Sequence, residues 1–100
     1  MESKGKAIII DSKDNVATLL DDVKKGMIIQ AQSDKEKIIL KVQDDIAFGH
    51  KIALGDIDKG EPIIKYGEII GQASKDIKKG EHVHVHNVDS QRGRSEAKDD

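Results

Sequence analysis

The chain has 100 residues, a net charge of −2 and 36% charged residues of both signs, which fits one small domain with a mixed polar surface. That balance leaves no basic footprint for nucleic acid, and the lack of any cysteine removes a disulfide framework. Ile8-Ile9-Ile10 is too short a run for a signal sequence or a membrane helix, so a cytoplasmic protein without a membrane partner is expected. Fifteen isoleucines beside one Phe and one Tyr predict an aliphatic, strand-rich core. A core this small favours a partner or a homo-oligomer.

Lys6 to Asp11 reads as the first strand, followed by turn chemistry over Ser12 to Asn15. Asn15 to Val23 starts as a strand and is expected to tighten into a helical turn. Met27 to Ala31 and Lys37 to Val42 predict a hairpin around Ser33-Asp34-Lys35-Glu36. Asp44 to His50 reads as a loop plugged by Phe48, and Lys51 to Leu54 as a short strand. Ile63 to Tyr66 and Glu68 to Ala73 flank Gly67, with Gly71 marking a bulge. His82 to Val88 is the last predicted strand, with Val83, Val85 and Val88 on the core side. Residues 1–90 form the domain, and 91–100 read as a polar tail.

One phrase recurs along this order: Asp22-Val23-Lys24-Lys25-Gly26, Asp56-Ile57-Asp58-Lys59-Gly60 and Asp76-Ile77-Lys78-Lys79-Gly80. Its reading is structural: Asp caps a single helical turn, the apolar residue plugs the core and Gly takes positive φ. Many short strands with glycine turns at close spacing predict an all-β barrel-like or clip-like fold with short helical turns.

His82, His84 and His86 alternate, so on a strand they share one face. That spacing suits joint ligation of one metal, or a division between metal binding and acid–base work. It suits equally a solvated face that carries histidines. Gly49-His50-Lys51 offers a pair that can bind a carboxylate or move a proton, or else an exposed turn. Lys65 and Tyr66 are adjacent on a predicted strand, so only one can face a site, and Tyr66 is expected to be partly buried. Arg92-Gly93-Arg94 offers an anion contact or a docking segment.

Several of these stretches occur together in one family. Gly49-His50-Lys51-Ile52-Ala53-Leu54, Asp56-Ile57, Gly60-Glu61-Pro62-Ile63-Ile64-Lys65-Tyr66-Gly67-Glu68, Ile70-Gly71 and Gly80 to Asn87 resemble the SAF domain of the altronate dehydratase family, which includes galactarate dehydratase and sulfolactate sulfo-lyase. The resemblance runs from Asn15 to Arg94. It implies a β-clip fold, shared with type III antifreeze protein and the C-terminal domain of sialic acid synthase. It also implies a sugar-acid lyase in which this chain is a small subunit beside a large catalytic subunit.

Such an enzyme removes water from a polyhydroxy acid: a base takes the proton next to the carboxylate, a cation stabilises the enediolate and an acid protonates the leaving hydroxyl. The resemblance implies ferrous iron or another divalent metal, shared with the large subunit. The residues that match it are His50 and Lys51, expected to be catalytic, His82, His84 and His86, expected to be metal ligands, and Asn87, which joins Lys65 and Tyr66 as an expected substrate-binding residue. Galactarate dehydratase keeps the His-Lys pair and not the histidine strand, which makes His50 and Lys51 the more general pair. The competing expectations are release of sulfite from sulfolactate, and a non-catalytic module that binds a sugar acid or docks on a partner.

Overall fold

The computed structural model describes residues 5–90. They form nine strands: β1 (Lys6–Ile8), β2 (Val16–Leu19), β3 (Ile28–Gln32), β4 (Lys37–Lys41), β5 (Lys51–Ala53), β6 (Pro62–Lys65), β7 (Glu68–Ala73), β8 (His82–Val83) and β9 (Val88–Ser90). Among the described residues there is no helix. One curled sheet runs β4-β3-β1-β2-β5-β8 and a second runs β6-β7-β9. All pairings are antiparallel except β1 with β3.

Adjacent strand residues point to opposite faces, and the β2–β5 ribbon uses both. Ala17, Leu19 and Ile52 enter one aliphatic core with Ile29, Leu40 and Ile46. Their neighbours Val16 and Ala53 enter a second core with Ile57, Ile63, Ile77 and Val83. Each fully buried isoleucine contributes about 1.5–3 kcal/mol through its removal from water. The ribbon therefore joins two small cores into one body, and its β5 edge carries β8.

The recurrent phrase has four copies, because Asp45-Ile46-Ala47-Phe48-Gly49 folds like the other three. Val23, Ile46, Ile57 and Ile77 are all buried, and Gly26, Gly49, Gly60 and Gly80 all have φ between 87° and 95°. In each copy the residue after the glycine donates its N–H three residues back, as in Met27 to Lys24 and His50 to Ala47. This is a β-turn with glycine at the left-handed position, and it replaces the expected helical turn.

The copies work in pairs. Val23 bridges Ile46, and Ile57 bridges Ile77. Each Asp reaches across to its partner copy: Asp22 accepts from the Phe48 N–H at 2.9 Å and Asp45 from Lys25 at 3.0 Å. Asp56 accepts from Lys79 and Asp76 from Lys59, both at 2.9 Å. The carboxylates thus clasp two turns together and do not cap their own. Removing one clasp in Asp56→Ala should cost about 1 kcal/mol by chemical denaturation, and Asp76→Ala should couple to it in a double-mutant cycle. Additive effects would contradict the paired clasp.

The β3–β4 and β6–β7 hairpins match expectation, and a register shift between Ile63 and Ile64 places the bulge beside Gly71. A side chain at Gly71 would meet the Asp89 carbonyl, so the glycine lets β9 close on β7. Two expectations change. Phe48 is 65% exposed and the plug of its loop is Ile46, because the phrase buries its second residue. The stretch from His82 to Val88 is broken by a turn over residues 84–87, which leaves Val85 79% exposed. The polar tail over 91–100, with Arg92-Gly93-Arg94, lies outside the described residues.

Candidate metal centre and its surroundings

Gly49 ends the second turn at φ 87° and delivers His50 to the start of β5. The other copies place Met27, Glu61 and Glu81 at the equivalent position, and each folds back on its own turn N–H at Lys24, Asp58 or Lys78. His50 reaches outward instead, and its Nδ1 lies 2.9 Å from His82 Nε2.

β8 pairs with β5 through Lys51–Val83 and Ile52–His82. Continuing that antiparallel register brings His84 opposite His50, where the ring centroids are 4.7 Å apart. Asn87 then closes the turn. Its Oδ1 accepts from the His84 N–H at 2.9 Å and its Nδ2 donates to the His82 carbonyl at 2.8 Å. The turn brings His86 back to His82, with centroids 5.2 Å apart. Asp44 Oδ2 accepts from the His82 N–H at 2.9 Å and anchors the start of β8.

His50, His82 and His84 offer nitrogen atoms that all lie within 4.8 Å of one another. Two nitrogens at about 2.0–2.1 Å from one tetrahedral ion lie about 3.3 Å apart, so small ring adjustments suffice. Imidazoles suit iron, zinc and related divalent ions. The chemical state also fits, since a ligating imidazole must be neutral. Burial holds His82 below its ordinary pKa, helped by the charges of His86, His50 and His84 and opposed by Asp44. His84, although exposed, shifts the same way through what burial its ring has, then through His50, Lys51 and His86.

These shifts fix a sign. Below the ordinary value of 6.5 the unfolded chain binds protons that the folded chain resists. The contribution to stability is therefore present above that pH and is lost as pH falls through the lowered folded values. The melting temperature of the metal-free chain should decline on acidification below pH 6.5, and less steeply in His82→Gln. A flat profile, or one that rises on acidification, would contradict the arrangement.

Lys51 is half-buried, which lowers its pKa, and Lys65 lowers it further while Tyr66 opposes. Lys65 and Tyr66 do not face opposite ways. Tyr66 has φ 58° and Gly67 φ 73°, so these two residues form the tip of the β6–β7 hairpin directly after Lys65, which ends β6. The Lys65 Nζ consequently sits 3.8 Å from the Tyr66 ring centroid, and the ring is 58% exposed, not partly buried. Asn87 is only 4% exposed with both ends of its amide engaged on backbone. It shapes the turn that carries His84.

A pocket of about 210 Å³ adjoins the imidazoles, with Lys51 and His84 in its lining. A larger cleft of about 540 Å³ runs along β1 and the β3–β4 turn, away from all four histidines, so size alone does not mark the chemistry. The convergence of His50 on His82 and His84 had no local sequence signal. The hidden copy at 45–49 was the available one, since it fixes where His50 starts its strand. Among the described residues, no helix is long and apolar enough to cross a membrane.

Residues 5–91 match the altronate/galactarate dehydratase SAF domain family. Altronate dehydratase from Bacillus subtilis is 48% identical over 81 residues, covering 81% of this chain and 16% of that protein. The Escherichia coli altronate dehydratase is 46% identical with the same coverage. The (2R)-sulfolactate sulfo-lyase subunit alpha of Chromohalobacter salexigens is 35% identical over 88 residues, covering 85% of this chain and 94% of that protein. The chain thus spans only 16% of the length of the altronate dehydratases it matches, and nearly all of the sulfo-lyase subunit. With its histidines folded into one cluster on a curled all-β frame, the chain belongs to the altronate/galactarate dehydratase SAF domain family and has that family's β-clip fold.

Proposed function

We propose that this chain acts as the small, SAF-bearing part of a cytoplasmic sugar-acid hydro-lyase of the altronate dehydratase type, beside a large catalytic subunit. The observation that carries the reading is the convergence of His50, His82 and His84 from two separate segments. The higher identity to the altronate dehydratases supports an aldonate as substrate.

The three imidazoles would hold ferrous iron or a similar divalent ion, shared with the large subunit. Such an ion supplies a Lewis acid for the negative charge that builds when an acid loses its C2 proton. His50 Nδ1 and His82 Nε2 already lie 2.9 Å apart, close to the spacing of two ligands on one ion, and Asn87 fixes His84 through its backbone. His86 stands outside the trio with its ring against His82, free to exchange a proton with a bound acid. Lys51 places a cation one residue from His50. Loss of a C2 proton and of the C3 hydroxyl, which leaves as water with one added proton, balances the dehydration.

Reconstitution tests this. An altronate dehydratase lacking the segment that matches this chain should form a 2-keto-3-deoxy acid from altronate only when the chain is added. The near-complete coverage of two sulfo-lyase alpha subunits supports a second reading, release of sulfite from sulfolactate, for which the same mixture with a sulfo-lyase large subunit is assayed. If neither mixture gains activity from the chain, the lyase reading fails and a binding module remains.

A further inference from the structure

We propose that the aliphatic pocket beside the histidines, together with the exposed Phe48 and Val85, is the surface on which the large catalytic subunit docks, with an apolar side chain of that subunit seated in the pocket. The proposal deepens the lyase reading and rests on it for the identity of the partner. The place comes from the geometry.

Ile63, Ile70, Val83, Val85 and Val88 make most of the pocket, and Lys51 and His84 supply the rest. Its volume of about 210 Å³ is below the range of about 300–1,000 Å³ usual for a whole small-molecule site. A polyhydroxylated acid buried there leaves its hydroxyls without partners, so the substrate is not the occupant. An apolar side chain of another protein is, because interface anchors sit in such small desolvated pockets. The end of this chain does not serve. The segment 91–100, which follows β9, holds no apolar side chain larger than Ala97.

The turn phrase marks the same place. The two residues before its glycine are Lys24-Lys25, Asp58-Lys59 and Lys78-Lys79 in three copies, and Ala47-Phe48 in the copy that leads to His50. The polar pairs form the same left-handed turn, so the fold does not call for an apolar residue there. Phe48 is nonetheless 65% exposed, and Asp22 accepts from its N–H, so the ring is presented from a fixed backbone. Val85, between His84 and His86, is 79% exposed and also lines the pocket. Single exposed apolar side chains are ordinary. Two that border one cluster of imidazoles, next to an aliphatic pocket, form a patch of the kind a partner covers.

A large subunit that shares a metal with His50, His82 and His84 must come up to these imidazoles, and His84 also lines the pocket. The seat for its apolar side chain therefore lies beside the chemistry. Charge adds to the match. Among the described residues the one ion pair is Lys24–Asp45, so Lys51 has no carboxylate at ion-pair distance, and an acidic residue next to the partner's apolar side chain complements it. Ile39 is comparably exposed but sits on β4, the edge of the sheet opposite β8, and provides a control surface.

The test is the affinity of the chain for two probes, a sulfo-lyase large subunit and an altronate dehydratase lacking the segment that matches the chain. Calorimetry gives the affinity, and methyl NMR of the chain labelled at Ile and Val locates the contact. The probe that binds should shift the methyls of Ile63, Ile70, Val83, Val85 and Val88. Phe48→Asp and Val85→Asp should each weaken binding by roughly tenfold or more, the loss of one anchor contact, and Ile39→Asp should leave it unchanged. All three positions are exposed, so the variants should melt with the wild type; if one does not, the other member of the Phe48 and Val85 pair carries the test. Undiminished binding in a folded variant, an equal loss in Ile39→Asp, shifts confined to β3 and β4, or no binding of either probe would each overturn the docking surface. So would self-association of the chain alone that Phe48→Asp abolishes, since a second copy would then be the occupant. Binding at this surface without turnover upholds the docking and sinks the lyase reading, whereas turnover with undiminished binding in both variants does the reverse.

Discussion

Gly80→Ala should destabilise the chain by about 3 kcal/mol or more, while Gly60→Ala should cost about 1–2 kcal/mol. Both glycines have the same left-handed backbone, with φ 89° and 92°, so the backbone penalty is common to the two. Their surroundings differ. A Cβ at Gly60 would meet nothing, whereas one at Gly80 would overlap the carbonyl oxygen of Lys41 and press on Gln43. Neither neighbour moves cheaply. Gly80 donates its N–H to Ala53 and accepts from Gln43, so it joins β5 to the segment that follows β4. Displacing it also displaces Glu81 and His82. At roughly 4–8 °C per kcal/mol for a domain of this size, the two variants should melt well apart. Similar melting temperatures for Gly80→Ala and Gly60→Ala would show that the close approach at Lys41 is not as described.

The second large effect is chemical. His82→Ala should lower the affinity of the chain for a divalent metal by more than the roughly 10–100-fold that losing an outer-shell partner costs. It should also abolish the activity of the reconstituted lyase. His82 is the centre of the cluster: its nitrogen is 2.9 Å from His50, and its ring neighbours both His84 and His86. The substitution removes one ligand and releases the orientation of another. The fold should survive, because β8 is held through backbone pairing with β5 and through the Asp44 contact to the His82 N–H. Asn87→Ala is the informative companion. It leaves every imidazole in the chain but frees the His84 N–H and the His82 carbonyl, so metal affinity should fall while the ligand count is unchanged. Metal binding unaltered in His82→Ala would remove the basis for the centre.

Local pattern carried the hairpins, because alternation and turn residues act over a few positions. The β3–β4 pair and the glycine tip of β6–β7 followed directly from it. It missed the fourth turn phrase, where Ala47-Phe48 replaces the polar pair of the other copies. The positions that the geometry requires are the cross-clasping Asp, the buried residue after it and the left-handed glycine, and 45, 46 and 49 retain all three.

The histidine run shows a different limit. Alternation placed its members together, and they are together, but through a turn and not a strand. The Asn87 amide competes for the His84 backbone, and such local hydrogen bonding readily displaces a strand. His50 joins them across a separation of 32 residues, which no periodicity within either segment encodes. Pairing of β5 with β8 creates that meeting, and it depends on two cores sharing one ribbon.

The most direct test of the three-histidine centre is an anoxic titration of the chain with Co²⁺, whose visible absorption reports imidazole ligation. One equivalent should bind with a nitrogen-rich spectrum, release protons as pH is lowered toward the histidine range, and be lost in His50→Ala, His82→Ala and His84→Ala alike. Binding that persists in all three variants, or a chain that takes up no ion while fully folded, would contradict the account.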